Sequence, residues 1–192
     1  MSAELAPFGL RPAFHPSGLD RAQALANGIA SGFPSDILKG QAVKYVAGTG
    51  TIEPVTASGD SLSGAFAGVE WTDVTGRRRV SNYWPANTAY QTGSCVAYFY
   101  NDPNIVYEIQ ADGVVNQTAV GTDANINNFA AGSNVTGLSQ ATLNHTVLAT
   151  GVQGQVQILD IAPYPGNNWG DNYPIVRVQV AKRQIAAVVP GI

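Results

Sequence analysis

The sequence predicts an all-β protein, an antiparallel β-sandwich or barrel of jelly-roll-like type with an extended N-terminal arm. Three observations predict it. Apolar residues come in short runs, several alternating with polar ones at the period of a strand. The 21 glycines and 11 prolines interrupt the chain before a helix of ordinary length is complete. The runs, about eight to ten in all, follow one another at roughly ten-residue spacing, as in antiparallel sandwiches and barrels.

Residues 1–17 hold Pro7, Pro12 and Pro16, and each proline pushes the residue before it toward extended geometry. Phe8, Leu10 and Phe14 are apolar anchors that a disordered tail would lack, so an extended arm that docks is expected. Residues 18–192 are read as a single β domain. Asp20 can cap a short helix, but Gly28, Gly32 and Pro34 end it early, and a short strand over 25–30 is preferred. Strands are expected over 42–46, 51–55, 65–71 and 79–84. Pro54 marks the second as an edge, and Asp73 to Gly76 form the turn between the last two. Cys95–Tyr100 and Ile105–Gln110, joined by Asn-Asp-Pro-Asn, read as the clearest hairpin. Residues 112–140 are rich in Asn, Gly and Thr and read as loops and short strands near the surface. Strands return over 142–148, 155–161 and 175–180, and the chain ends in an apolar stretch.

The chemistry-bearing residues are few, so a structural or binding module is expected and not an enzyme. Charged residues are 12 % of the chain, with a net charge of −3. That is about half the usual ~25 %, and only ten residues are Lys or Arg, which weighs against direct nucleic-acid binding. Cys95 is the sole cysteine, which excludes an intramolecular disulfide; its apolar strand predicts burial. His15 and His145 stand in no metal-ligand spacing, and no cofactor is expected. Glu70 with Asp73 and Glu108 with Asp112 are weak acid–base pairs. Neither a secretory signal nor a membrane-spanning run is seen. Arg77, Arg78 and Arg79 follow a hairpin tip and are read either as a solvated turn or as an anchor for a neighbour's carboxylates. Trp71, Trp84 and Trp169 are core or interface residues, or a stacking platform for sugars.

Ala6-Pro-Phe-Gly-Leu-Arg-Pro12 with His15 is similar to the start of capsid cement (head decoration) proteins of tailed bacteriophages. Further segments resemble that family in the same order: Ile29–Phe33 with Leu38–Gly40, Gly68–Trp71 with Ser81–Pro85, Asp102–Asp112, and Asn168–Tyr173 with Val176–Val178. The Ala-rich 21–27 region and the Asn-rich middle depart from it. The resemblance implies a homotrimer on the outer capsid surface of a virion, bound to the major capsid protein and stabilising the shell. Phe8, Arg11, Phe14 and Arg77 to Arg79 are the expected capsid or subunit contacts. Removing residues 1–17 is then expected to abolish shell attachment while the β core still folds. The alternative reading is a carbohydrate- or receptor-binding β module of a virion.

Overall fold

β-branched and aromatic residues at alternate positions give strands throughout, and the computed structural model describes residues 2, 4–18, 21–149 and 151–184. Asp20 and the apolar end beyond Gln184 lie outside these. In chain order the strands are β1 (Arg11–Phe14), β2 (Gln23–Ala26), β3 (Ala42–Tyr45), β4 (Ile52–Pro54), β5 (Gly64–Thr72), β6 (Arg78–Ser81), β7 (Val96–Tyr100) and β8 (Val106–Gln110). They continue with β9 (Asp123–Ala124), β10 (Ile126–Asn127), β11 (Gly132–Ser133), β12 (Leu138–Ser139), β13 (Thr142–Leu143), β14 (Val156–Ile161) and β15 (Ile175–Val180). The fold is all-β. A single helical turn at Gln117–Ala119 is the one helical element among the described residues.

Two antiparallel sheets make the body. A five-stranded sheet runs β1-β8-β15-β14-β9; a six-stranded one runs β2-β7-β5-β3-β4, with β6 paired to the second half of β5. β4, which ends in Pro54, is outermost, where a missing amide donor costs no ladder bond. The short strand preferred over 25–30 lies earlier, as β2 over Gln23–Ala26 against β7, because Asn27 at φ +53° turns the chain out of it.

Two clusters form the core. The first includes Leu10, Ala42, Ala65, Tyr107, Ile109, Ile158, Val176 and Val178, from both sheets. The second packs Phe66, Val69, Trp71 and Phe99 of the six-stranded sheet against Ile29, Ile37, Trp84 and Cys95. The six-stranded sheet is therefore buried on one face at one end by the five-stranded sheet, and on the other face by loops. The Asn-rich middle contributes to the first cluster through Val115, Ala119, Ala124 and Ile126, so it is more than surface loop.

The hairpin expected over 95–110 does not form. β7 lies in the six-stranded sheet and β8 in the other, so Asn101–Asn104 carry the chain between sheets. The Tyr107 hydroxyl donates to the Tyr100 carbonyl at 2.8 Å and ties the corner. Turn residues specify that the chain reverses, not which neighbour the next strand takes. The strand expected over 142–148 ends at Leu143, where Asn144 turns the chain by accepting the Thr146 amide at 2.9 Å. At the start of β5, Gly64 has φ +151°, and a Cβ there would lie 1.7 Å from the Tyr100 carbonyl oxygen, so only glycine lets β5 approach β7 this closely.

Candidate functional site

The outer face of the five-stranded sheet is covered by its own chain over β8, while Gln157 and Asp160 of β14 stay exposed. Register aligns Arg11, Glu108, Arg177 and Asp160 in one row of alternating charge across four strands. The Glu108 side chain is only 5 % exposed. It accepts Arg11 Nη2 at 2.8 Å and the Tyr164 hydroxyl at 2.6 Å, with Arg177 Nε at 3.6 Å. The hydrogen bond to Glu108, with burial, pushes the Tyr164 hydroxyl up from its ordinary value. Arg11 lies over the Phe8 ring at 4.4 Å and Arg177 over the Phe14 ring at 5.4 Å. The segment ahead of β1 is held down in the same way. The Tyr173 amide donates to the Ser2 carbonyl, the Ala6 amide to Gln110 Oε1, and the Leu10 amide to the Gly40 carbonyl. Phe8, Arg11 and Phe14 thus all make contacts within the chain, while Phe14 keeps 42 % of its surface exposed.

The six-stranded sheet differs. On one face, Ala42 and Ala65 enter the intersheet core at one end. At the other end the same face carries Ala24 and Ala26, which are exposed, and Val96 and Tyr98, which are half-buried. A row of paired positions runs Ala26, Val96, Glu70, Val80, and Val80 on β6 is 74 % exposed. β6 is a free edge. Val135, 91 % exposed, sits nearby, since Asn82 Nδ2 donates to the Thr136 carbonyl at 2.9 Å.

The β5–β6 hairpin tip is rigidly built. Asp73 Oδ1 accepts the Thr75 hydroxyl at 2.6 Å and the Thr75 and Arg77 amides at 2.9 and 3.0 Å. Its Oδ2 accepts Arg79 Nε at 2.9 Å. These donors, the Thr75 hydroxyl foremost, hold the Asp73 carboxyl well below the usual carboxylate range. Arg78 pairs with Glu70, which its hydrogen bond also holds low. Of the three adjacent arginines, two are therefore neutralised within the hairpin. Arg77 is exposed, and its guanidinium has no partner among the described residues. Glu70 and Asp73, weighed as an acid–base pair, are the internal partners of Arg78 and Arg79.

A cleft of about 590 Å³ opens beside the edge strand β4, lined by Phe33, Leu38, Pro54, Val55, Asp36 and Glu53 among others. Asp36 Oδ1 accepts the Ala86 amide at 2.7 Å, and no cation pairs with Asp36 among the described residues. Glu53 lies 3.5 Å from Lys44, which sits nearer Asp60 at 3.0 Å.

The remaining candidates have internal partners. His15 Nε2 lies 3.2 Å from Asp102, and His145 Nδ1 lies 2.8 Å from Asp112. Ser17 closes a turn on His15, its hydroxyl 2.6 Å from Nδ1 and its amide donating to the same nitrogen at 3.0 Å. Asp112 also accepts Asn127 Nδ2 at 2.8 Å. Glu108 and Asp112 therefore answer to different partners. Cys95 is fully buried, and burial pushes its thiol up. Trp71 and Trp84 meet edge to face at 5.5 Å inside the second core cluster, while Trp169 is half-buried against the first.

Sequence reasoning missed the Glu108 cluster, whose members are far apart in the chain, and the cleft. The one legible signal was Glu108 itself, a charge between apolar neighbours in a strand. No family model, no curated protein and no solved structure matches this chain.

Proposed function

We propose that this chain is a capsid cement protein: a homotrimer that binds the major capsid protein on the outside of a tailed-phage shell and stabilises it. What carries the reading is the uncovered end of the six-stranded sheet. Ala24, Ala26, Val80, Val96 and Tyr98 share one face there, crossed by the Glu70–Arg78 pair and bordered by the free edge of β6. A face of small and apolar residues with few charges suits burial against a protein partner. A free edge can take main-chain hydrogen bonds from another strand. The family-like segments, in order from residue 6 to residue 178, point the same way. Modest contacts repeated over many copies add up to a durable shell.

The test is co-sedimentation of the purified protein with undecorated shells of its cognate major capsid protein, followed by shell stability on heating. The expected result is saturable binding and shells that open at higher temperature. Val80→Lys, which charges the exposed face without touching the core, is expected to weaken binding at least about tenfold. Shells that bind nothing and gain no stability sink the reading. Val80→Lys with undiminished binding moves the contact off this face.

A further inference from the structure

We propose that copies of this chain associate head to tail, the β5–β6 hairpin tip of one copy seating in the Asp36–Glu53 cleft of the next. The inference deepens the homotrimer part of the function proposed above and rests on it. Four observations carry it. First, Arg77 at the tip has no anionic partner among the described residues, although Arg78 and Arg79 beside it each have one. Second, the cleft holds Asp36 and Glu53; among the described residues Asp36 has no cationic partner, Glu53 shares its lysine with Asp60, and no Lys or Arg lines the cleft. Third, the tip presents Val74 at 67 % exposure, and the cleft offers Phe33, Leu38, Pro54 and Val55 as apolar wall. Fourth, the Asp73 hydrogen bonds already fix the tip, so little ordering entropy is lost on docking.

Charge and apolar complementarity therefore meet on two different patches of one chain. Such a contact is heterologous, and it makes a closed ring when the rotation between copies divides the circle. Three copies close it under the trimer reading. Arg77 reaching Asp36 forms a forked, charge-assisted contact. Val74 removes apolar surface from solvent beside it.

The test is sedimentation equilibrium on the full chain. Wild type is expected to weigh three chains. Arg77→Glu changes an exposed side chain and leaves the Asp73 turn intact, and it is expected to weaken association at least about tenfold. Asp36→Asn keeps the acceptor for the Ala86 amide and removes the charge, so it should fold and dissociate likewise. Wild-type trimers that bind no shell, with variants that dissociate, uphold this contact while the cement reading fails. Trimers that ignore both single substitutions overturn the contact and leave the cement reading standing. A wild type that stays monomeric at about 100 μM overturns the contact together with the trimer.

Discussion

At the scale of single residues, the buried polar side chains determine where the chain is least tolerant. Glu108 is the acceptor at the centre of the outer row, with two arginines and a tyrosine hydroxyl around it. Glu108→Ala removes the acceptor and leaves those donors facing a covered surface, which typically costs about 3 kcal/mol when the pair is buried and less as its cation is exposed. With Arg11 half-exposed, about 2 kcal/mol is expected, read as a lower urea midpoint. Gln155 is fully buried. Its Nε2 donates to the Ala57 and Asp60 carbonyls, and its Oε1 accepts the Ile126 amide. Gln155→Leu preserves volume and strands three backbone groups, so a loss of about 2–4 kcal/mol is expected in the same measurement. An unchanged midpoint would show that these groups find other partners.

At the scale of elements, the N-terminal strand is structural as well as extended. Leu10 is 1 % exposed and belongs to the intersheet core, and β1 lines the edge of β8. Leu10→Ala is expected to cost about 2–4 kcal/mol by the usual penalty for emptying a core site. Deleting residues 1–17 removes that anchor, uncovers Glu108 and opens the edge of β8. The deletion is therefore expected to lower the melting temperature of the whole domain and not merely to release an arm. A truncated chain that melts with wild type would refute this. Gly64→Ala is the sharpest backbone test. Its Cβ would enter the Tyr100 carbonyl, so the β5–β7 ladder must part, and loss of cooperative unfolding is the expected outcome in a thermal melt.

At the scale of the whole molecule, stability should form a plateau with two edges. Asp60, Asp73, Asp102, Asp112, Asp171 and Glu70 all have carboxyls held below their ordinary values. The leading causes are the Lys44 hydrogen bond for Asp60 and the Asn104 amide for Asp102; at Asp112 burial opposes the shift, and Asn127 and His145 outweigh it. A depressed folded value stabilises above the unfolded value and is lost as pH falls through the folded one, so the melting temperature should drop below about pH 4. Burial raises the hydroxyls of Tyr90 and Tyr107. A raised folded value stabilises below the unfolded one and is lost as pH rises, so a second drop is expected above about pH 10. A melting temperature unchanged at pH 3 would contradict the acid edge.

The same three scales separate what the amino-acid sequence determined from what the tertiary structure decided. Strand positions were legible because alternation and β-branched residues act locally: β3, β5, β7, β8, β14 and β15 fall where the pattern puts them. The burial of Cys95 and of Ile105, Tyr107 and Ile109 on one face was legible for the same reason. Partner choice was not. The Asn101–Asn104 turn marks a reversal in either sheet, and tertiary packing, with the Tyr107 hydroxyl on the Tyr100 carbonyl, places β8 in the other sheet. The Glu108 row joins residues 11, 108, 164 and 177, brought together by strand order alone. Equally, three adjacent arginines look alike in a sequence, yet register hands Glu70 to Arg78 and Asp73 to Arg79 and leaves Arg77 without a partner among the described residues. Local pattern fixes where strands lie because it depends on neighbours in the chain. Which faces are covered, and which charges stay unpaired, depend on neighbours in space.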